Sequence, residues 1–177
     1  MRRGDWMQTY TGRVFWPMDP REDDLCIEDI AHALAHQCRF AGHCAEFYSV
    51  AQHSVIVASL LSEPFRLEGL MHDAAEAYLV DLPRPVKPYL DGYAAAELEL
   101  RTCISDRYHL RMDPVATNVV KRADNIALAT EARDLMMWPP PADWHLEELP
   151  RHKRIVPIGP SAAEAQFLAW WEDNRNG

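Results

Sequence analysis

The chain has no run of roughly 18 consecutive apolar residues, so no membrane-spanning helix is expected. It also has no CxxC pair: Cys26, Cys38, Cys44 and Cys103 are scattered, and they read as reduced thiols in or near a core. Behind Arg2 and Arg3 there is no apolar stretch, so the N-terminus does not read as a secretory signal, and a cytoplasmic location is expected. A surplus of positive charge is missing too. Eighteen basic residues stand against 27 acidic ones, a net charge of −9, which argues against binding a nucleic-acid polymer. A small anionic substrate stays open, because a metal ion and a few cations can set a local potential against the global one. Internal repeats and low-complexity tracts are absent.

What is present fits one domain spanning residues 1–177, with 48% hydrophobic and 25% charged residues. The first 24 residues carry Trp6, Tyr10, Phe15 and Trp16 between Gly12, Pro17 and Pro20, the pattern of an irregular or short-strand arm. Ile27, Ile30, Ala31, Leu34 and Cys38 then recur at helical spacing. Further helices are expected over Val50–Leu61, about Phe65–Leu79, Tyr93–His109, Pro114–Met137 and Ser161–Glu172. Asp113 is the N-cap and Pro114 the first residue of the longest one. The segment DLPRPVKP, residues 81–88, cannot be regular helix, because its prolines remove donors and fix the backbone, and is expected to be an ordered loop. Residues 138–160 are proline-rich and read as irregular. The expectation is an all-α, single helical bundle of five to six helices, its core at about 26–137, with an irregular N-terminal arm and a proline-rich C-terminal segment.

The string LEGLMHDAAEAYLVDLPRP, residues 67–85, carries the densest chemistry. His72 and Asp73 can offer imidazole nitrogen and carboxylate oxygen to one divalent cation. On a helix Glu76 falls one turn further on the same side, placed to act on a water rather than to bind the metal. Asp81 opens the rigid proline loop. An HD pair alone is more often a solvated helix end than a ligand pair. Upstream, however, YSVAQHSVIVASLL sets His53 in an apolar helix, and downstream VVKRADNIALATEARDL sets Asp124 in another. Buried polar groups are costly unless paired.

The order His53, His72-Asp73, Asp124 on three separate helices resembles the H…HD…D signature of the HD-domain metal-dependent phosphohydrolases, over roughly residues 26–137. HDAAEAYLVDLPRPVK is similar to the HDAxE…GDLPxPxK stretch of bacterial 5′-deoxynucleotidases and phage nucleotide phosphohydrolases, among them dATP triphosphohydrolases. CRFAGH followed by YSVAQHS is similar to the RF-GH…YSVAQHS pattern of the phage-type enzymes. The resemblance implies His53, His72, Asp73 and Asp124 as ligands of one divalent transition metal (Co, Mn, Zn, Fe or Ni). It implies Glu76 as the acid that orients or deprotonates the attacking water, and Asp81 as the loop carboxylate. Val80 stands where that loop has glycine, which puts the loop's conformation in question. Arg39 lies near the position of a phosphate-binding arginine, and His43 near the pocket. Lys87, Lys121 and Arg122 are further candidates to hold a di- or triphosphate tail, although ordinary solvated surface charge is the default reading of each alone. The implied activity is hydrolysis of (deoxy)nucleotides at the 5′ phosphate, either as a triphosphohydrolase on dNTPs or as a 5′-deoxynucleotidase on dNMPs, by a homo-oligomer, dimer or larger.

Alternatives remain at this point. HD domains also serve as cyclic-nucleotide or (p)ppGpp-type phosphodiesterases, although no histidine lies between His72 and His109, which favours a single metal. A non-catalytic nucleotide-binding module is the non-enzymatic reading. A zinc site from Cys38, His43 and Cys44 with His32 or His36 is a further alternative, against which adjacent residues rarely converge on one ion. His32 and His36 are four apart on one helix face, as ligands can be, but no third partner is evident and ordinary packing or exposure is the default. His109, His145 and His152 read as loop or helix-end residues. Trp138, Trp144, Trp170 and Trp171 read as packing or subunit-contact residues.

Overall fold

The helical spacing that begins at Ile27 is realised in the computed structural model, which describes residues 1–141 and 144–175, as α1 (Ile27–His36). There follow α2 (Val50–Ser59), α3 (Arg66–Met71), α4 (Glu76–Leu79), α5 (Tyr93–Tyr108), α6 (Pro114–Leu135) and α7 (Pro160–Asn174). The architecture is an all-α bundle. Its N-terminal arm closes into one small antiparallel hairpin, β1 (Met7–Gln8) against β2 (Val14–Phe15), in the register Met7 with Phe15 and Gln8 with Val14. Among the described residues no helix is long and apolar enough to cross a membrane.

α2 is the axis of the molecule. All its residues from Val50 to Ala58 are buried, and α1, α3, α6 and α7 pack around it. A helix with no charged residue and few polar ones has no solvent face to offer, and its Gln52 and His53 are enclosed with the rest. Ser49 caps it, its hydroxyl accepting from the Gln52 amide at 3.1 Å. Buried Gln52 then fastens the proline-rich segment: its Nε2 donates to the Val156 carbonyl at 2.8 Å, and its Oε1 accepts from the Ile158 amide at 3.1 Å. One apolar cluster joins α2 to α1, α3 and α7 through Ile30, Leu34, Val55, Leu70 and Phe167. A second joins it to α6 through Val57, Val120, Ala123 and Ala127. Alanines at 116, 123 and 127 on the buried stripe of α6 keep side-chain bulk low on the face turned to the core.

α6 starts as its sequence predicts, Asp113 Oδ1 accepting from the Val115 and Ala116 amides at 2.9 and 3.1 Å, with Pro114 first in the helix. The helix expected over Phe65–Leu79 is instead interrupted. Between α3 and α4 the backbone tightens to three-residue bonds, Ala74 N–H to Met71 O at 3.0 Å and Glu76 N–H to Asp73 O at 2.9 Å. The side chain of His72 causes competition here. Its Nδ1–H donates at 2.8 Å to the Gly69 carbonyl, which an uninterrupted helix would offer to the Asp73 amide. The arm is more firmly held than its composition suggests. Phe15 is fully buried against Tyr78, and Asp29, in the first turn of α1, is itself buried and accepts from the amide and hydroxyl of Thr11 at 2.7 and 3.0 Å. The proline-rich stretch after α6 is irregular as expected; its Ala142 and Asp143 lie outside the described residues.

Candidate metal centre

His53 comes from the middle of α2, His72 and Asp73 from the tightened turn after α3, and Asp124 from α6. Gly69 lets α3 reach α2: a Cβ there would lie 2.4 Å from Leu61 Cδ1 and 3.2 Å from the Ala58 backbone. The approach carries His72 to His53, and their Nε2 atoms face each other at 3.3 Å. Asp73 Oδ2 lies 3.1 Å from His72 Nε2 and 3.5 Å from His53 Nε2. Asp124 Oδ1 lies 3.4 Å from His53 Nε2.

Both imidazoles are oriented from behind. A carbonyl can only accept, so the contact from His72 Nδ1 to Gly69 O requires a proton on Nδ1 and leaves Nε2 bare in the neutral ring. His53 Nδ1 likewise donates to Glu131 Oε1 at 2.6 Å. His53, His72 and Asp73 therefore each offer a ligating atom within 4.8 Å of the other two, and Asp124 joins the group from the side of His53. Burial and the Arg39 guanidinium pull His53 down, yet Glu131 and Asp124 carry it up to about 9. Burial pushes Asp73 and Asp124 up, but the neighbouring histidines hold both carboxyls well below the usual range. The residues present fit a divalent ion: mixed nitrogen and carboxylate donors, aimed and ionised.

Glu131 is the member that the sequence reading missed. It is fully buried on α6, seven residues after Asp124 and so two turns along the same face. That spacing, in an otherwise apolar stretch, was the available signal. Its other oxygen accepts from Arg39 at 3.1 Å, and Arg39 also stands 3.8 Å from Asp73. Arg39 is thereby committed to the back of the centre, between two carboxylates that raise its already high pKa against the effect of burial. Two consecutive left-handed residues, Phe40 and Ala41, shape the loop that carries it.

On the open side a cavity of about 410 Å³ is lined by His72, Asp73 and Asp124 together with Glu76, Lys87 and Lys121. Arg101 of α5 and Arg111 before α6 line it as well, cations that the sequence reading did not single out. Burial, reinforced by Asp73 and Asp81, pushes Glu76 up to about 8, and its Oε2 is buried without a hydrogen-bond partner. Lys87 approaches Glu76 Oε1 at 3.5 Å and Glu97 at 3.0 Å; Lys121 holds Asp124 Oδ2 at 3.0 Å. Asp81 is half-buried, its amide donating to Gln37 Oε1 at 3.0 Å, and burial raises its carboxyl. Asp81, Arg39 and His43 are not among the residues lining the cavity, and His43 is exposed on the loop. Val80 takes φ 70°, left-handed backbone that a β-branched residue adopts only under strain. Cys38, His43 and Cys44 form no metal-ligand group among the described residues: Cys44 donates to the Arg39 carbonyl, and all four cysteines are free.

No protein-family profile matches the chain. It is similar to the uncharacterized protein YfdR of Escherichia coli, with 39% identity over 175 residues covering 95% of this chain and 94% of that protein. It is also similar to the uncharacterized protein RCAP_rcc00048 of Rhodobacter capsulatus, with 33% identity over 142 residues, 73% of this chain and 72% of that one. Both likenesses are to uncharacterized proteins, and the first extends over nearly the whole of both chains. The chain belongs to the family of YfdR.

Proposed function

We propose that this chain is a metal-dependent phosphohydrolase of the HD-domain superfamily that cleaves (deoxy)nucleotides at the 5′ phosphate, as a 5′-deoxynucleotidase or a dNTP triphosphohydrolase. The observation that carries the reading is the clustering of His53 of α2 with His72 and Asp73 of the turn after α3, with Asp124 of α6 beside His53 and both imidazoles turned Nε2-inward by acceptors behind them. The resemblance of HDAAEAYLVDLPRPVK and YSVAQHS to that superfamily supports it. So does a cavity within the size range that takes a nucleotide-sized ligand.

His53, His72, Asp73 and Asp124 would hold one divalent transition ion. When bound, such an ion supplies positive charge that polarises a phosphoryl oxygen and makes water more acidic. Glu76 lines the same cavity, and a carboxyl held near 8 can take a proton from water and return it to a leaving oxygen. Arg101, Arg111, Lys87 and Lys121 give the cavity cations that attract a phosphate chain despite the net charge of −9. Arg39, by contrast, acts on the protein: it neutralises Glu131 and so keeps His53 oriented. The reading carries with it a cytoplasmic location and a homo-oligomer, dimer or larger, which light scattering on purified protein tests.

The activity test incubates the protein with dNMPs, NMPs and dNTPs, with Co²⁺ or Mn²⁺ and with EDTA, beside an Asp73→Ala control. Metal-dependent nucleoside release that the variant lacks is the expected result. Phosphate or triphosphate as co-product tells the two reactions apart. Absence of both turnover and bound metal would sink the proposal.

A further inference from the structure

His32 and His36 lie four residues apart on α1, and the fold supplies the third partner that the sequence did not reveal. Glu164, on α7 and 132 residues further along the chain, brings its Oε2 to 3.0 Å from His32 Nδ1. The two imidazoles stack with centroids 4.1 Å apart, and each of the three residues offers a ligating atom within 4.8 Å of the other two. His36 is oriented for the task. Its Nδ1–H donates to the His32 carbonyl at 2.8 Å, which leaves Nε2 free in the neutral ring. Tyr10, from the tip of the hairpin, stacks on His32 at 3.6 Å with the ring planes within 4°.

We propose that His32, His36 and Glu164 form a second divalent-metal site, of the zinc, nickel or copper type, which pins α1 to α7 beneath the N-terminal hairpin. Two histidines at i and i+4 present their rings to one side of a helix, the placement that zinc-binding helices use. A carboxylate from a neighbouring helix completes three protein ligands, and in zinc chemistry the fourth position goes to water. Ligands at about 2.0 to 2.1 Å from a tetrahedral ion sit roughly 3.3 Å from one another, so the 3.0 Å edge between His32 and Glu164 is close to the required one. His36 is exposed, and His32 and Glu164 are only half-buried at 28% and 21%, so an ion can reach them from solvent without the bundle opening. The role is structural. The three ligands and Tyr10 come from three separate segments, and crosslinking them stabilises the edge where the arm is attached.

The test titrates Zn²⁺ and Ni²⁺ into metal-stripped full-length protein by calorimetry and compares it with His36→Ala and Glu164→Gln. The difference between proteins is the readout, which does not depend on how many ions the wild type binds elsewhere. One equivalent fewer in each variant, or affinity for that equivalent lowered about tenfold or more, is expected. Circular dichroism checks that each variant folds, and Glu164→Gln keeps the side chain's shape. Anomalous scattering from zinc-soaked wild-type crystals should place an ion between α1 and α7. Identical titrations for wild type and both variants would overturn the site, leaving His32 and Glu164 as an ordinary hydrogen-bonded pair.

Discussion

At the centre of the bundle His53 has no solvent exposure, and its ring is fixed by Glu131, itself fully buried and matched by Arg39. At the α1–α7 edge His32 and His36 carry the same imidazole chemistry, but in water's reach and with only one carboxylate between them. The contrast concerns what each cluster costs the fold. A buried set of charges must be complete to be tolerated, because removing one partner strands the others in a low-dielectric interior. An exposed set can lose a member and let water take its place. The centre is therefore part of the fold, whereas the edge is an attachment to it.

The largest expected effect breaks the comparison at its root. Glu131→Ala leaves Arg39 and His53 without their buried counter-charge and should cost about 3–5 kcal/mol in urea unfolding; an equal loss from Glu164→Ala would erase the distinction. Metal removal comes next. For an ion held at a hundred times its dissociation constant, stripping with EDTA should lower stability by about 2.7 kcal/mol per site, read as a drop in Tm that Asp73→Ala no longer shows for the centre. Gly69→Ala forces α3 away from α2 and should destabilise by about 1–3 kcal/mol. It should also weaken metal at the centre while leaving the edge titration unchanged, a separation of the two clusters by a residue in neither.

Smaller effects sharpen the picture at the periphery. Asp29→Ala removes the anchor for Thr11 and should cost about 1 kcal/mol. Hydrogen exchange should show the loss confined to the hairpin and the Tyr10 stack. Val80→Gly relieves left-handed strain of about 1–3 kcal/mol but gives back about 0.5–1 kcal/mol in chain entropy. A small net gain in Tm is the expected outcome, and a loss would mean that the Val80 side chain contributes packing where it stands.

Much of the helical layout was legible because periodicity and caps are local. Asp113-Pro114 announced the start of α6, and the prolines after residue 138 its end. The interruption between α3 and α4 was not legible, since a ring reaching back to the carbonyl of Gly69 leaves no mark on apolar spacing. His53, His72, Asp73 and Asp124 were named by resemblance, since a lone histidine or aspartate in an apolar helix reads by default as packing or exposure; the structure clusters the first three and sets Asp124 beside His53. Arg39 was assigned to substrate because an arginine's charge is visible and its partners are not. Glu131, the partner that turns it inward, was hidden in a helix whose charged residues mostly face water. His36 and Glu164 stand 128 positions apart, a pairing that no local pattern records.

By itself the sequence determined the class of fold and the starts and stops of most helices, since these follow from spacing and chemistry along one strand of chain. Only the tertiary structure decided which nitrogen of His53 and of His72 faces the other ring, that Arg39 supports the centre rather than lining the cavity, and that Glu164 completes an edge cluster. These are questions of distance and direction between residues remote in sequence. They are settled when the cost of burying charge selects the one packing in which each buried charge finds a partner.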